Sequence, residues 1–361
     1  MADPKSPKYK QVYHFTNYLA AMIGGLRDGI NMASKTSWNR VRNAARIFQS
    51  YHASRIRKQP HISGMPISIS IEPTTACNLR CPECPSGLRA FSRPTGMLDA
   101  GLFRNVLGQL APTLSYLTFY FQGEPYLHPA FLEMVDCASS KGIYTATSTN
   151  AHFLDEDAAR NTVLSGLDRL IISLDGTTQT AYESYRVGGS LEKVIEGTKN
   201  ILSAKKALRS DTPHVIFQFL VVKPNEHQVP GVYKLARESG VDQVVLKTAQ
   251  IYDHENGSPL IPTQDRYSRY RQNRDGTWSI KSKLDNHCWK MWHSCVITWD
   301  GKVVPCCFDK DAHFVLGDVK KNSFEEIWNG EAYNRFRASL LVSRNEIEMC
   351  RNCTEGSRVF A

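Results

Sequence analysis

No run in this chain of 361 residues approaches the roughly 20 apolar residues that a membrane-crossing helix needs. The N-terminus lacks the apolar core and cleavage site of a secretory signal. There is no low-complexity tract, and no internal repeat beyond an alternation of strand and helix. Acidic residues are scarce at the front: residues 1–60 hold 11 Lys/Arg against 2 Asp/Glu, and the remaining 301 residues hold 33 of each sign. A basic arm on a neutral body is a poor nucleic-acid footprint, and no recognised motif accompanies the charge, so nucleic acid is not an expected partner. What is present is ordinary globular material, 42% hydrophobic and 22% charged. Ten cysteines without an export signal point to a reducing cytoplasm and to metal ligation rather than disulfides.

The arm reads as two helical pieces. Leu19, Met22, Leu26 and Ile30 recur at helical spacing, as do Trp38, Val41, Ala45 and Phe48, with Thr36 and Ser37 as N-caps. Arg40, Arg42, Arg46, Arg55, Arg57 and Lys58 decorate the second piece. Such a basic amphipathic helix either lies on an anionic membrane, here the inner membrane surface, or packs on the main domain with its basic side in solvent.

From about residue 64, strand-like runs (67–71, 116–121, 143–148, 170–174, 215–222, 244–248) alternate with helix-like ones (100–110, 130–140, 156–165, 191–208, 229–239). Six such repeats call for parallel strands with right-handed crossovers. An open barrel of six strands is the natural closure, and active sites in such barrels sit at the strand C-termini. Residues 250–286 are polar and turn-rich and read as a bridge to a cysteine-rich end. The expected domains are therefore 1–64, 65–275 and 276–361.

Just beyond the first strand stands Cys77-Asn78-Leu79-Arg80-Cys81-Pro82-Glu83-Cys84. Three thiolates on a short loop can meet at one centre, and a four-iron cluster normally takes four. A trio with no near fourth cysteine suggests a cluster with one iron open to a ligand. Disulfides, a zinc knuckle and structural thiols are the other readings. The C-x3-C-x2-C spacing resembles the signature of the radical S-adenosylmethionine (SAM) superfamily. The resemblance implies an α/β fold: a partial (β/α)6 TIM-like barrel, a small C-terminal iron–sulfur module and an N-terminal helical basic extension. Gly123 and Glu124, in Gln122-Gly123-Glu124-Pro125 after the second strand, resemble the Gly-Gly-Glu motif that meets the SAM amino group. Gln122 replaces its first glycine. Ser173 at the fourth strand and Arg186 shortly after match the residues that contact the SAM sugar and carboxylate. Glu83 departs from the aromatic or hydrophobic residue usual before the third cysteine.

Cys288-x12-Gly301-x4-Cys306, with Cys350 and Cys353 near the end, resembles SPASM and twitch domains. These residues suffice for one auxiliary cluster, with Cys295 and Cys307 as possible substitutes and zinc as the physical alternative. Cys137 reads as a packed thiol on a barrel helix. The implied cofactors are two 4Fe-4S clusters and SAM, served by a one-electron donor such as flavodoxin or ferredoxin. A reduced cluster in this family cleaves SAM to a 5′-deoxyadenosyl radical, which takes hydrogen from substrate. The first functional expectation is oxidation of a small, sugar-derived metabolite, with Asp309 as candidate base. The second is modification of a peptide, and the third a non-catalytic iron–sulfur scaffold at a membrane.

Overall fold

The computed structural model describes residues 24–356 and Val359; Leu19 and Met22 of the arm lie outside them. Six parallel strands form the barrel wall: β1 (Ser68–Ile71), β2 (Tyr116–Thr118), β3 (Tyr144–Thr149), β4 (Arg169–Ser173), β5 (His214–Val221) and β6 (Gln243–Thr248). Each of the five crossovers contains a helix. Ala100–Leu110, Phe131–Ser139, Glu156–Leu164, Leu191–Ala207 and Val229–Ser239 follow one another in chain order. Their starts are locally encoded: Asp99, Asp155 and Ser190 each accept a backbone N–H of the first turn. β3 and β5 are buried along nearly their whole length, as strands covered on both faces must be.

The sheet does not end with the barrel. The 250–286 segment carries a small hairpin, β7 (Tyr270–Gln272) with β8 (Trp278–Ile280). Next, β9 (Ser294–Ile297) lies parallel to β1, with Cys295 opposite Ile69. Antiparallel β10 (Lys302–Val304) and β11 (Gly317–Asp318) follow, giving the order β11-β10-β9-β1-β2-β3-β4-β5-β6. The expected six-stranded sheet thus has nine strands, three of them from the C-terminal segment. Trp292 and Trp328 share one continuous core with Ile69, Leu117 and Phe119. The boundary expected near 275 therefore marks a change of sequence character and no break in packing.

The arm is the other departure. A helical stretch over residues 24–34 is followed by α1 (Trp38–Arg57), capped by Ser37 as expected. Both lie under the N-terminal ends of the strands. Asp28 meets Tyr144 and Arg169, Asn31 donates to Asp168 at 2.8 Å, and Lys35 pairs with Asp168 at 2.6 Å. In α1 the buried side is Arg40, Asn43, Ile47, Ser50, Tyr51 and Ser54. The polar members bond to main chain at the lower rim: Arg40 to the carbonyls of Lys141, Gly142 and Ala111, and Asn43 to both backbone groups of Met65. The stripe Trp38, Val41, Ala45 and Phe48 is the exposed face. The helix packs on the barrel, but with the opposite face to the one its apolar periodicity suggested. The rim offers unpaired carbonyls, and polar side chains answer them.

Candidate active site

At the C-terminal end of β1 the chain enters the cysteine loop, which neighbouring strands hold from several sides. Glu124 donates its backbone N–H to the Ala76 carbonyl at 2.8 Å, and Arg80 donates to the Val187 carbonyl at 2.9 Å. Gly123 donates to the Ser86 hydroxyl at 2.9 Å. At Gly123 the backbone has φ +76°, and a Cβ would collide with the Thr74 carbonyl oxygen. Glycine is required there because the second strand end and the cysteine loop touch main chain to main chain. Gly123→Ala is expected to cost about 1–3 kcal/mol, read as a shifted urea midpoint with its slope unchanged. An unshifted midpoint would mean the two loops are not locked together.

A cavity of about 220 Å³ opens over the strand ends, and Cys77, Cys81, Cys84, Gly123, Glu124, Ser173 and Arg186 all line it. The two cofactor motifs and the trio, read from separate stretches of sequence, thus converge on one space. A larger cavity of about 520 Å³ adjoins the same loop on the side of residues 89–97 and shares Cys77.

The trio has the surroundings of metal ligands. Burial holds the Cys77 thiol up at about 11, and it raises that of Cys81 against the nearby Arg186. Thiolates here need a cation to compensate desolvation. N–H groups already point at the sulfurs: Leu79 N at 3.5 Å from Cys77 Sγ, and Arg186 Nη1 at 3.7 Å from Cys81 Sγ. Among the described residues no three His, Cys, Asp or Glu side chains converge closely enough to hold a single ion. Three thiols lining one cavity, with N–H donors already directed at two of them, suit an iron–sulfur cluster, so the residues fit.

Glu124 is buried, accepting from Thr149 Oγ1 and Asn150 N at 2.8 Å each. Desolvation pushes its carboxyl up to about 7 despite these bonds and the nearby Arg186. Arg186 pairs through Nε with buried Asp175 at 2.5 Å, and that charge raises the guanidinium well above its ordinary value. Ser173 sits 3.5 Å from Ser148, hydroxyl to hydroxyl.

Sequence reasoning missed the residues that fix these groups. Thr149 and Asn150 end β3, where the barrel rule could have found them. Asp175, just after β4, holds Arg186 and carried no motif; Gln218 of β5 only lines the cavity. Glu83, the departure from the family pattern, accepts Tyr252 N at 2.9 Å and ties the cysteine loop to the bridge segment. Lys310 reaches the Glu83 carbonyl and lies 4.5 Å from the Tyr252 ring centroid. Its neighbour Asp309, the expected base, turns away: its carboxylate accepts the N–H groups of His313 and Phe314 at 2.8 and 2.9 Å, and it does not line the cavity. Tyr120 and Phe121 line the cavity, whereas Trp292 is fully buried core.

The second cysteine group forms in the C-terminal segment. Cys288, Cys350 and Cys353 are buried, and the Cys306 thiol is raised by burial, then by neighbouring Cys307, and after these by Cys288 and Cys353. Burial likewise pushes Cys350 up to about 12. Arg344 Nη2 and Glu355 N both point at Cys353 Sγ from 3.3 Å. Gly356 leaves room that a Cβ would take from Cys288 Sγ. These four also fit a cluster. Cys295 lies on β9 with Arg337 as its charged neighbour, Cys307 is exposed, and Cys137 packs against the main core. Of the two expected substitutes, Cys295 sits in the sheet away from the group, whereas Cys307 is the immediate neighbour of Cys306 on the solvent side.

Residues 71–244 match the family described as "Radical SAM superfamily", and residues 288–354 match "SPASM: Iron-sulfur cluster-binding domain". The chain is 25% identical over 325 residues to the tungsten-containing aldehyde ferredoxin oxidoreductase cofactor-modifying protein of Pyrococcus furiosus, covering 79% of this chain and 86% of that one. It is 26% identical over 312 residues to the PqqA peptide cyclase of Gluconobacter oxydans, covering 81% and 84%. Among solved structures, SuiB of Streptococcus suis bound to S-adenosylmethionine superposes with a TM-score of 0.61 at 14% identity, covering 86% of this chain and 77% of that one. BtrN in complex with AdoMet and 2-DOIA gives 0.51 at 19%, covering 82% and 96%. At these identities the two structures establish the fold.

Proposed function

We propose, from the premise that this chain belongs to the radical SAM superfamily and carries a C-terminal SPASM module, that it is a peptide-modifying enzyme. Its cofactors are SAM and iron–sulfur clusters. The observation carrying the chemistry is the convergence of Cys77, Cys81 and Cys84 with Glu124, Ser173 and Arg186 on one cavity. When bound, a cluster on the three cysteines would supply one electron to SAM and so generate the radical that takes hydrogen from substrate.

The chain's own residues have definite tasks. Glu124, held by Thr149 and Asn150, offers a carboxylate to the SAM ammonium. Arg186, anchored on Asp175 through Nε and with Nη1 directed at Cys81, offers Nη2 to the SAM carboxylate. Ser173 takes the ribose, and the barrel wall excludes water from the radical.

Peptide modification is favoured over the small-metabolite oxidation first expected. The supporting observation is that relatives spanning four-fifths of this chain include PqqA peptide cyclases, whereas the resemblance to BtrN is one of fold. The test is to incubate reconstituted enzyme, SAM and a one-electron donor with short peptides encoded beside its gene, and with polyols. Mass loss of two hydrogens in a peptide supports the reading. Oxidation of a polyol with every peptide unchanged overturns it.

Glu124 makes the site pH-dependent. Burial pushes its carboxyl up to about 7 in the free site, and protonation replaces a charge-assisted contact to the SAM amino group with a weaker neutral one. SAM affinity is therefore expected to fall as pH drops below about 7 and to level off above it. Equilibrium dialysis between about pH 6 and 8 checks this, with Glu124→Gln expected to bind weakly and without the pH step. A flat wild-type profile would remove Glu124 from the ammonium site.

A further inference from the structure

The arm presents to solvent what a helix normally buries. α1 turns Arg40, Asn43, Ser50 and Ser54 inward, Arg40 and Asn43 bonded to main chain at the barrel rim and Ser50 and Ser54 to the carbonyls of Ser63 and His61. Its outer face carries Trp38, 78% exposed, Ile56, 82% exposed, and Val41 and Phe48 between them. The preceding helical stretch adds Leu26 at 65% and Ile30 at 60%, one turn apart. Basic residues share the exposed side: Arg27, Arg42, Arg46, Arg55, Arg57 and Lys58. The acidic residue of this region, Asp28, is buried against Tyr144 and Arg169. A helix of 20 residues is about 30 Å long, so apolar and cationic groups line an extended surface with no exposed acid within residues 24–60.

We propose that this face docks the enzyme on an anionic lipid surface, with Trp38, Val41, Phe48 and Ile56 entering the headgroup–acyl boundary. The charge selects the occupant. A second copy would bring the same arginines against themselves, and a protein partner built from apolar contacts alone would leave them unpaired. Anionic headgroups answer every one of them, while arginine stems let their guanidinium groups rise to that level. The placement also sets the orientation. The arm lies under residues 65, 111, 141, 142 and 168, which precede strands. The cofactor cavity opens at the other end of the same strands. An enzyme held by α1 keeps its cavity facing water, open to SAM and to a soluble substrate. This inference goes beyond the proposed reaction and does not depend on it.

The test is co-sedimentation of the full chain with phosphatidylglycerol and with phosphatidylcholine vesicles. Binding is expected to be at least about 10-fold tighter to the anionic vesicles and to weaken with salt. Arg42→Glu with Arg46→Glu is expected to lower it by about 10-fold or more, at roughly 1 kcal/mol per basic residue. Trp38→Ala with Ile56→Ala should weaken it as well. All four side chains point outward, so folding should survive, and circular dichroism checks that. Equal binding to both vesicle types, no binding, or wild-type binding by both double variants would overturn the proposal. So would a dimer in light scattering that disappears in Trp38→Ala/Ile56→Ala, which would assign the face to a second copy.

Discussion

Replacing Cys77, Cys81 and Cys84 together by alanine is expected to remove about half the iron from anaerobically reconstituted protein, which in the wild type should approach about eight irons per chain. It should abolish 5′-deoxyadenosine formation. The three thiols line the cavity, and burial holds those of Cys77 and Cys81 above their ordinary value, so a cation is needed to favour their thiolates. The second group, Cys288, Cys306, Cys350 and Cys353, lies in the C-terminal segment and would keep its share. Alanine at these positions removes small side chains from a loop whose anchors are backbone bonds at Ala76, Arg80 and Gly123. The fold should therefore survive, and a thermal melt checks it. Undiminished iron in the triple variant would sink the assignment of the cavity.

The second large effect separates an electron-accepting auxiliary cluster from a structural one. Cys350→Ala with Cys353→Ala is expected to leave reductive SAM cleavage intact while abolishing modified product. Cleavage needs only the barrel groups, whereas a substrate radical left after hydrogen abstraction must give up an electron. A structural site predicts otherwise, because Cys288 shares the main core with Trp292 and Trp328 and the module supplies three strands of the sheet. Both activities would then fall together as metal-coupled folding fails. Product formation by a folded variant lacking the second cluster would eliminate the acceptor role. Arg344 offers a gentler perturbation. It is buried, donates to Cys353 Sγ, and bonds the carbonyls of His287 and Glu355. A positive charge beside thiolates favours the reduced, more negative cluster. Arg344→Gln should hence shift the auxiliary potential downward in an EPR-monitored titration, with iron content retained. An unchanged potential would confine Arg344 to bracing the chain.

Much of this molecule was legible before any coordinates. Five crossover helices and six strands are encoded locally, by β-branched runs, by helical periodicity, and by caps such as Asp99, Asp155 and Ser190. Observed ends fall close to those expected. β2 is the main exception, stopping at Thr118 where the chain peels toward Gly123. The cysteine trio, Gly-Glu-Pro, Ser173 and Arg186 are short signals at strand ends, and barrel topology alone brings strand ends together. The sequence therefore determined the fold class and implied the cofactors, and the candidate site residues it named share one cavity.

Tertiary structure decided what depends on partners distant in the chain. Asp309 looked free to act as a base, but the N–H groups of residues 313 and 314 occupy it. Glu83 departs from the residue usual before the third cysteine, and it answers the backbone of Tyr252. The cysteine-rich end reads as a separate module, yet its strand β9 pairs with β1, because a sheet edge accepts any strand whose backbone can reach it. α1 shows the reason most directly. Periodicity reports which residues share a face, but it cannot say what that face meets. Here the rim of carbonyls beneath the barrel took the polar face, leaving the tryptophan and arginine side outermost.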